Sequence, residues 1–528
     1  MKTFLSNTKV RRASLRALLV PVLLLGCTDL TEVPSDALTP ENAFRTEEEI
    51  LAGVASVYAR LRSTMWGYYN LSEITTGEMI VPTRGSDWYD NGTWLEIYRQ
   101  TWNANSGSAL NDMNGAWSDL FSGVARSNLM ISVMEQAGGS NPTAAQKSTL
   151  AELRVLRAWY YYMLQDFFGG VPLVTNTVVE QRPRVSRDSM FKFIESELIA
   201  AAADLPAVSA TQYGRINKNV PNAILASLYI NAGVFTKSSD EINAGAYNGC
   251  AGVTVSGGRT ACQAAIDAAN AVINSGDYQI ETDWKANFSN TNDASKENVF
   301  VIVHSSVSGL GMNLPMRTLH YNQLSPSPWN GFATIAETYQ QFAANDVRRD
   351  MWLVGQQYSF NTGQPVNDRA GNPLVFTKTI ANPEQASEAE GPRFNKFPPL
   401  PGAADGDSHP NDYPFFRLAE MYLIRAEARN ELNQTGQALT DVNLVRARAF
   451  EPDQPAAAGT QAAMRDLILR ERLLEFAAEG KRRQDLIRFG RFVQARQFKD
   501  AQQGFKVLFP IPQTQTQANP LLDQNPGY

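Results

Sequence analysis

The chain has 528 residues, 43% of them apolar and 19% charged, which supplies a real core and excludes a largely disordered protein. The net charge of −6 excludes the broad basic face of a nucleic-acid binder, and three cysteines with three scattered histidines leave little for zinc chemistry. Nine tryptophans, 18 tyrosines and 25 phenylalanines are the distinctive stock, so their positions carry information.

Residues 1–26 read as an address rather than as fold. Lys2, Lys9, Arg11, Arg12 and Arg16 form a basic region, Ala17 to Leu25 a short apolar one, and the run closes on Gly26-Cys27. A small residue followed at once by cysteine resembles the bacterial lipobox, which implies lipidation of Cys27. An ordinary secretory signal with a chance cysteine is the alternative. With Cys27 acylated, Cys250 and Cys262 remain around a Gly-rich loop, and an exported chain favours a disulfide between them over two buried thiols.

Helical periodicity then predicts pairs: 42–62 with 114–136, 150–168 with 187–204, 219–235 with 261–275, and 413–433 with 436–449, followed by a last helix at 460–478. Gly169 and Gly170 with Pro172 stop the third helix, and Ser186 caps the fourth. Two long insertions interrupt the series. One is polar and aromatic, at 63–113. The other, about 280–405, is loop-rich with short β-like runs such as Val299–Val303. The expectation is an all-α, tetratricopeptide-like scaffold of about four helix pairs with minor β. It divides into an N-terminal region, 27–279, and a C-terminal region, 280–528.

Several segments together resemble the SusD/RagB family of outer-membrane lipoproteins. They are Glu152, Arg154, Arg157, Trp159 and Tyr160 running to Pro172; Asp412 to Arg417 with Glu420 and Glu427; Asn443, Arg446 and Arg448; Glu471, Arg472, Glu475, Glu479, Arg483 and Asp485; and the tail from Phe509 to Tyr528. The resemblance implies a non-catalytic, surface-facing protein of the outer membrane, held by a lipid anchor. Such a protein binds glycan and caps a SusC-like TonB-dependent transporter as a lid. Some relatives bind peptides or other nutrients, so that reading stays open, as do a glycoside hydrolase and a helical scaffold for proteins alone.

The carboxylates Glu471, Glu475 and Glu479 recur every four residues among arginines, and read as an ion network fixing helices rather than as an acid–base pair. Arg154, Arg157, Arg417 and Glu427 read the same way. No cofactor is expected. Asp405, Asp407 and Asp412, or Asp283 with Asn290, Asn292 and Asp293, have the oxygens for a structural calcium ion, but solvated turns are the preferred reading. Four of the nine tryptophans (Trp66, Trp88, Trp94 and Trp102) fall in the first insertion. A sugar offers a C–H face that an indole or phenol stacks on and a rim of hydroxyls for Asp, Asn and Arg. The expected ligand contacts are therefore Arg84, Trp88, Tyr89, Asp90, Asn91 and Trp94, with Tyr321, Trp329 and Asn330 from the second insertion. The competing reading packs these rings as a small core of the insertion itself.

Overall fold

A computed structural model describes residues 44–457 and 459–528, and residues 44–528 form one compact unit. The leader and Cys27 lie outside the described residues. Among the described residues, nine helices of ten residues or more carry the fold. They are α1 (Glu47–Glu73), α2 (Leu110–Gly138), α3 (Ala144–Phe168), α4 (Arg187–Ala201), α5 (Val220–Ile230), α6 (Ala261–Ile273), α7 (Leu418–Glu431), α8 (Thr435–Arg446) and α9 (Gln461–Phe476). Each predicted pair packs together: α1 with α2, α3 with α4, α5 with α6, and α7 with α8. The pairs also stack, α2 on α3, α4 on α5 and α6 on α7, so each apolar face is buried by the next unit.

Local chemistry sets the helix ends. Thr46 with Glu49 and Thr143 with Gln146 form capping boxes that satisfy the first free N–H groups of α1 and α3. Ser186 accepts from the Ser189 amide at the start of α4. Gly169 ends α3 at φ 76°, a conformation costly for any residue with a Cβ. The Cys250–Cys262 disulfide closes the connector between α5 and α6, with both residues fully buried.

Two sequence expectations change. Helix α1 runs eleven residues past 62, straight through Gly67, whose missing side chain lets the helix pack closely on Asp112 and Ala116 of α2, so the first insertion starts later. Tyr68 and Tyr69 thereby join the core instead of a loop. The segment expected to begin a helix at 413 is a strand, β2 (Tyr413–Arg417), antiparallel to β1 (Asn298–Ile302). Its Tyr-Pro-Phe-Phe run suits a strand buried on both faces, and every residue of both strands is buried. Trp159 of α3 packs edge-on against Phe300 of β1 and Phe415 of β2, which ties the N-terminal helices to the second insertion.

Behind this strand pair lies the charged network. Arg417 at the end of β2 reaches Glu297 at 2.6 Å, Glu475 at 3.0 Å and Glu479 at 2.8 Å. Arg348 reaches Asp346, Glu471 and Glu475 at 2.7–3.0 Å, and Arg448 reaches Glu475 at 2.7 Å. All eight side chains are essentially closed to water. Burial opposes ionisation of Glu475, but the surrounding Arg448, Arg417 and Arg348 outweigh it and hold the carboxyl far below its usual range. The network clamps α9 onto β2, as the four-residue spacing of its glutamates suggests. Glu427 pairs with Arg488, and Arg157 with Glu197, while Arg154 makes only a solvent-facing pair with Glu135.

Two of the residues considered for calcium are structural ties. Asp412 accepts from Tyr213 Oη at 2.6 Å and from the His304 amide at 2.7 Å. Asn292 accepts from the Asp412 amide and donates to the Asp412 carbonyl, fully buried. That corrects the solvated-turn reading for Asp412 and Asn292, which form a buried clamp beside β2, while Asp283, Asp293 and Asp407 are exposed. No group of three or more His, Cys, Asp or Glu is placed to hold a metal ion among the described residues.

Candidate functional site

The two insertions meet on one face. In the first, the chain passes from Thr83 through a tight turn to the short helix Thr93–Arg99. Trp88, Asp90 and Asn91 all take positive φ (61°, 39° and 56°), and Gly92 follows at 80°. Three non-glycine departures of this kind within four residues, each costing roughly 1–3 kcal/mol, persist only where the surroundings over-determine them. In the second insertion Asn330 is also left-handed, at φ 52°.

The indole of Trp88 joins the halves. Its Nε1 donates to the Trp329 carbonyl at 2.6 Å. Its ring lies over Gly331, where a Cβ would come within 2.5 Å of the indole carbons. Trp94 and Phe332 meet it edge-on at 5.4 and 6.0 Å. Trp88 and Trp329 remain half-buried, and Tyr89 beside them is 58% exposed. Asn91 and Asp90 are exposed on the same turn, with Asp90 accepting from Trp94 Nε1 at 2.6 Å.

A polar rim crosses the seam. Tyr321 Oη donates to Asp87 at 2.6 Å, and Arg369 Nη2 donates to the same carboxylate at 2.9 Å. The Arg369 guanidinium also stacks on the Tyr321 ring at 4.2 Å and pairs with Glu388. His320 Nε2 lies 3.0 Å from Glu388. The Tyr321 hydrogen bond, with Arg369, holds Asp87 below the usual carboxylate range. Burial opposes the same shift at Glu388, but His320 and Arg369 carry it below its ordinary value. Burial and Asp87 push the Tyr321 phenol up to about 12. Both carboxylates of the rim are thus anions, and the phenol is a donor.

Three of the residues expected at a ligand face inward instead. Arg84 is buried and donates to the Ser387 and Glu390 carbonyls, pinning the 387–391 loop from inside. Trp94 is 7% exposed and belongs to the support of Trp88. Asn330 is fully buried, accepting from Arg393 and donating to the Glu388 carbonyl at 3.1 Å. These three follow the packed-core reading of the insertions. Trp102 does too, with Nε1 donating to Tyr528 Oη at 2.7 Å.

The sequence reading missed Asp87, Arg369 and Glu388 as rim groups. It also missed a cleft of about 420 Å³ next to the seam. Trp66, 39% exposed on α1, forms one wall, with Arg317, Asn313, His304 and Asp407 around it. Arg317 lies on the Trp66 ring at 4.2 Å and donates through Nε to Asn313 at 3.0 Å. Phe332 stands between the two places, within 6.0 Å of the Trp88 ring on one side and of the Arg317 guanidinium on the other. An indole with a ring of amides, carboxylates and guanidiniums is a surface that stacks and hydrogen-bonds at once.

Two sequence families match this chain. The model described as "SusD family" matches residues 304–528, and the one described as "Starch-binding associating with outer membrane" matches residues 35–230. The chain belongs to the SusD family. The SusD-like protein P2 of Formosa agariphila is 25% identical over 551 residues, covering 96% of this chain and 97% of that protein. The starch-binding protein SusD of Bacteroides thetaiotaomicron is 26% identical, covering 72% of each chain. The fold is also that of the surface glycan-binding protein A from Bacteroides thetaiotaomicron, solved in complex with laminarihexaose. The TM-score there is 0.69 at 21% identity, over 91% of this chain and 99% of the other. The all-α helix-pair scaffold is therefore the SusD fold, and the aromatic seam sits where its two insertions meet.

Proposed function

We propose that this SusD-family chain binds an oligosaccharide across the Trp88–Trp329 seam without turning it over. The observation that carries this reading is the pairing of partly open indoles and the exposed Tyr89 with a preorganised rim of Asp87, Tyr321 and Arg369. Rings stack on the sugar's C–H face, and Asn91 with the rim groups addresses its hydroxyls. Relatives named as starch-binding and laminarin-binding support a glycan as the ligand class. A glycosidase needs one carboxyl kept protonated to donate to the leaving oxygen. Asp87 and Glu388 are both held ionised, which favours capture over hydrolysis.

The family match also supports an outer-membrane setting. In this reading acyl chains on Cys27 tether the protein to the outer membrane, facing outward. The glycan passes from the seam to a SusC-like TonB-dependent transporter, for which this chain is the lid. Calorimetry against a panel of soluble glycans, with laminarihexaose included and a peptide panel alongside, tests the ligand. A saturable glycan signal lost in both Trp88→Ala and Trp329→Ala is expected. Peptide binding alone, or new reducing ends from the glycan, would replace this reading.

A further inference from the structure

A different cleft, of about 310 Å³, opens where residues 335–341 meet α9, the short helix Arg482–Arg488 and the turn that follows it. Its walls carry no aromatic ring. Four arginines line it instead: Arg470, Arg482, Arg491 and Arg496. Arg491 is paired with Asp466. Among the described residues no carboxylate lies within ion-pair distance of the other three. Each spends one donor on a backbone carbonyl: Arg470 on Gln341 at 3.2 Å, Arg482 on Leu469 at 2.9 Å and Arg496 on Phe492 at 2.7 Å. A guanidinium has five N–H donors, so most of this donor capacity remains available at the cleft.

The acids nearby do not cancel these charges. Glu337 is exposed and accepts from the Gln497 amide at 3.0 Å. Glu78 is buried beside Glu73, and burial pushes its carboxyl up to about 7, so near neutral pH it carries only part of a charge. Arg482 and Arg496 also feel one another. Burial and the Arg482 charge together lower Arg496 to about 10, the signature of two cations sharing a poorly hydrated site.

We propose that this cleft binds the oxyanion group of a small ligand, a carboxylate or a sulfate, gripped by the forks of Arg482 and Arg496 with Arg470 at the rim. Planar guanidiniums match both groups bidentately, which a lysine could not do. The volume is at the lower end of the roughly 300–1,000 Å³ of small-molecule sites, which suits a single acidic unit. The site shares no lining residue with the Trp66 cleft or the seam residues, so it adds a second recognition chemistry to the chain.

The test is calorimetry on the full chain at pH 7 with sodium sulfate and sodium glucuronate. Glucose serves as the neutral control and sodium chloride as the ionic-strength control. Saturable binding of either oxyanion, but not of glucose or chloride, is expected. Sulfate binding points to a free inorganic anion, and glucuronate binding without sulfate binding points to an acid group carried on a sugar. Arg496→Gln should weaken it at least tenfold, and the exposed Arg470→Glu, which leaves the core untouched, should abolish it. Trp329→Ala should leave it unchanged, which separates this site from the glycan seam. Absence of binding to both oxyanions, or full affinity retained in Arg470→Glu, overturns the proposal.

Discussion

The charged network behind β2 and the polar rim at the seam use the same residue types to opposite ends. Both place arginines between carboxylates, and the arginines favour ionisation of Glu297 and Glu475 in the first and of Asp87 and Glu388 in the second. They differ in access to water. Arg417, Glu475 and Glu479 are about 1% exposed, whereas the Arg369 side chain is 49% exposed and Asp87 is 32% exposed. In the first place each charge is committed to its partners, and removing one strands the others. In the second the ions are hydrated and can exchange a water for a hydroxyl. Charge pattern alone does not separate a clamp from a site, but burial does.

Four measurements bear on that contrast. Glu475→Ala strands Arg348, Arg417 and Arg448 in the core and should lower stability by about 3–5 kcal/mol in chemical denaturation. The glycan affinity of the folded fraction should not change. A loss below about 1 kcal/mol would dissolve the contrast.

The next concerns pH. Glu297 and Glu475 of the network have lowered folded pKa values, so their stabilisation is present above the ordinary carboxylate range and is lost as pH falls below it. Glu78 has the opposite sign. Its carboxyl is raised from 4.5 to about 7, so its contribution is fully present below about 4.5 and declines as pH rises through about 7. Glu78→Gln should flatten the stability profile across that window, and Glu475→Gln should alter the profile only on the acid side.

At the seam the effects should appear in binding. Trp329→Ala should weaken glycan binding by at least ~1 kcal/mol by calorimetry, with little change in the unfolding midpoint. Arg369→Ala should cost less than about 1 kcal/mol of stability because its ion pairs are open to water. It should still weaken the glycan, since it orients both Tyr321 and Asp87. A folding defect as large as that of Glu475→Ala would mean the rim is a clamp as well.

The helix pairs were legible in the sequence because periodicity reports which face is buried, and those faces pack as read. The capping role of Ser186 and the stop at Gly169 were legible because each rests on one local hydrogen bond or dihedral. The β2 strand was hidden by the helical pattern that follows it directly. At the site, turn chemistry and aromatic density singled out the two loops that the structure brings together. They did not separate Trp88 and Tyr89, partly open, from Trp94 and Arg84, buried, because composition has no direction. Arg369 and Glu388 lie in a stretch without periodicity, and Arg369 meets Asp87 across 282 positions, so no local signal announced them.

Gly331 gives the seam a history as well as a shape. The Trp88 indole occupies the space that a side chain at 331 would fill, so one insertion keeps a position empty for a ring supplied by the other. A methyl at 331 would lift the indole and reset the depth of the platform without altering any residue proposed to touch ligand. Drift in one loop is therefore constrained by the other. Libraries that diversify ligand preference should vary the two loops together, holding position 331 as glycine while the rim is randomised.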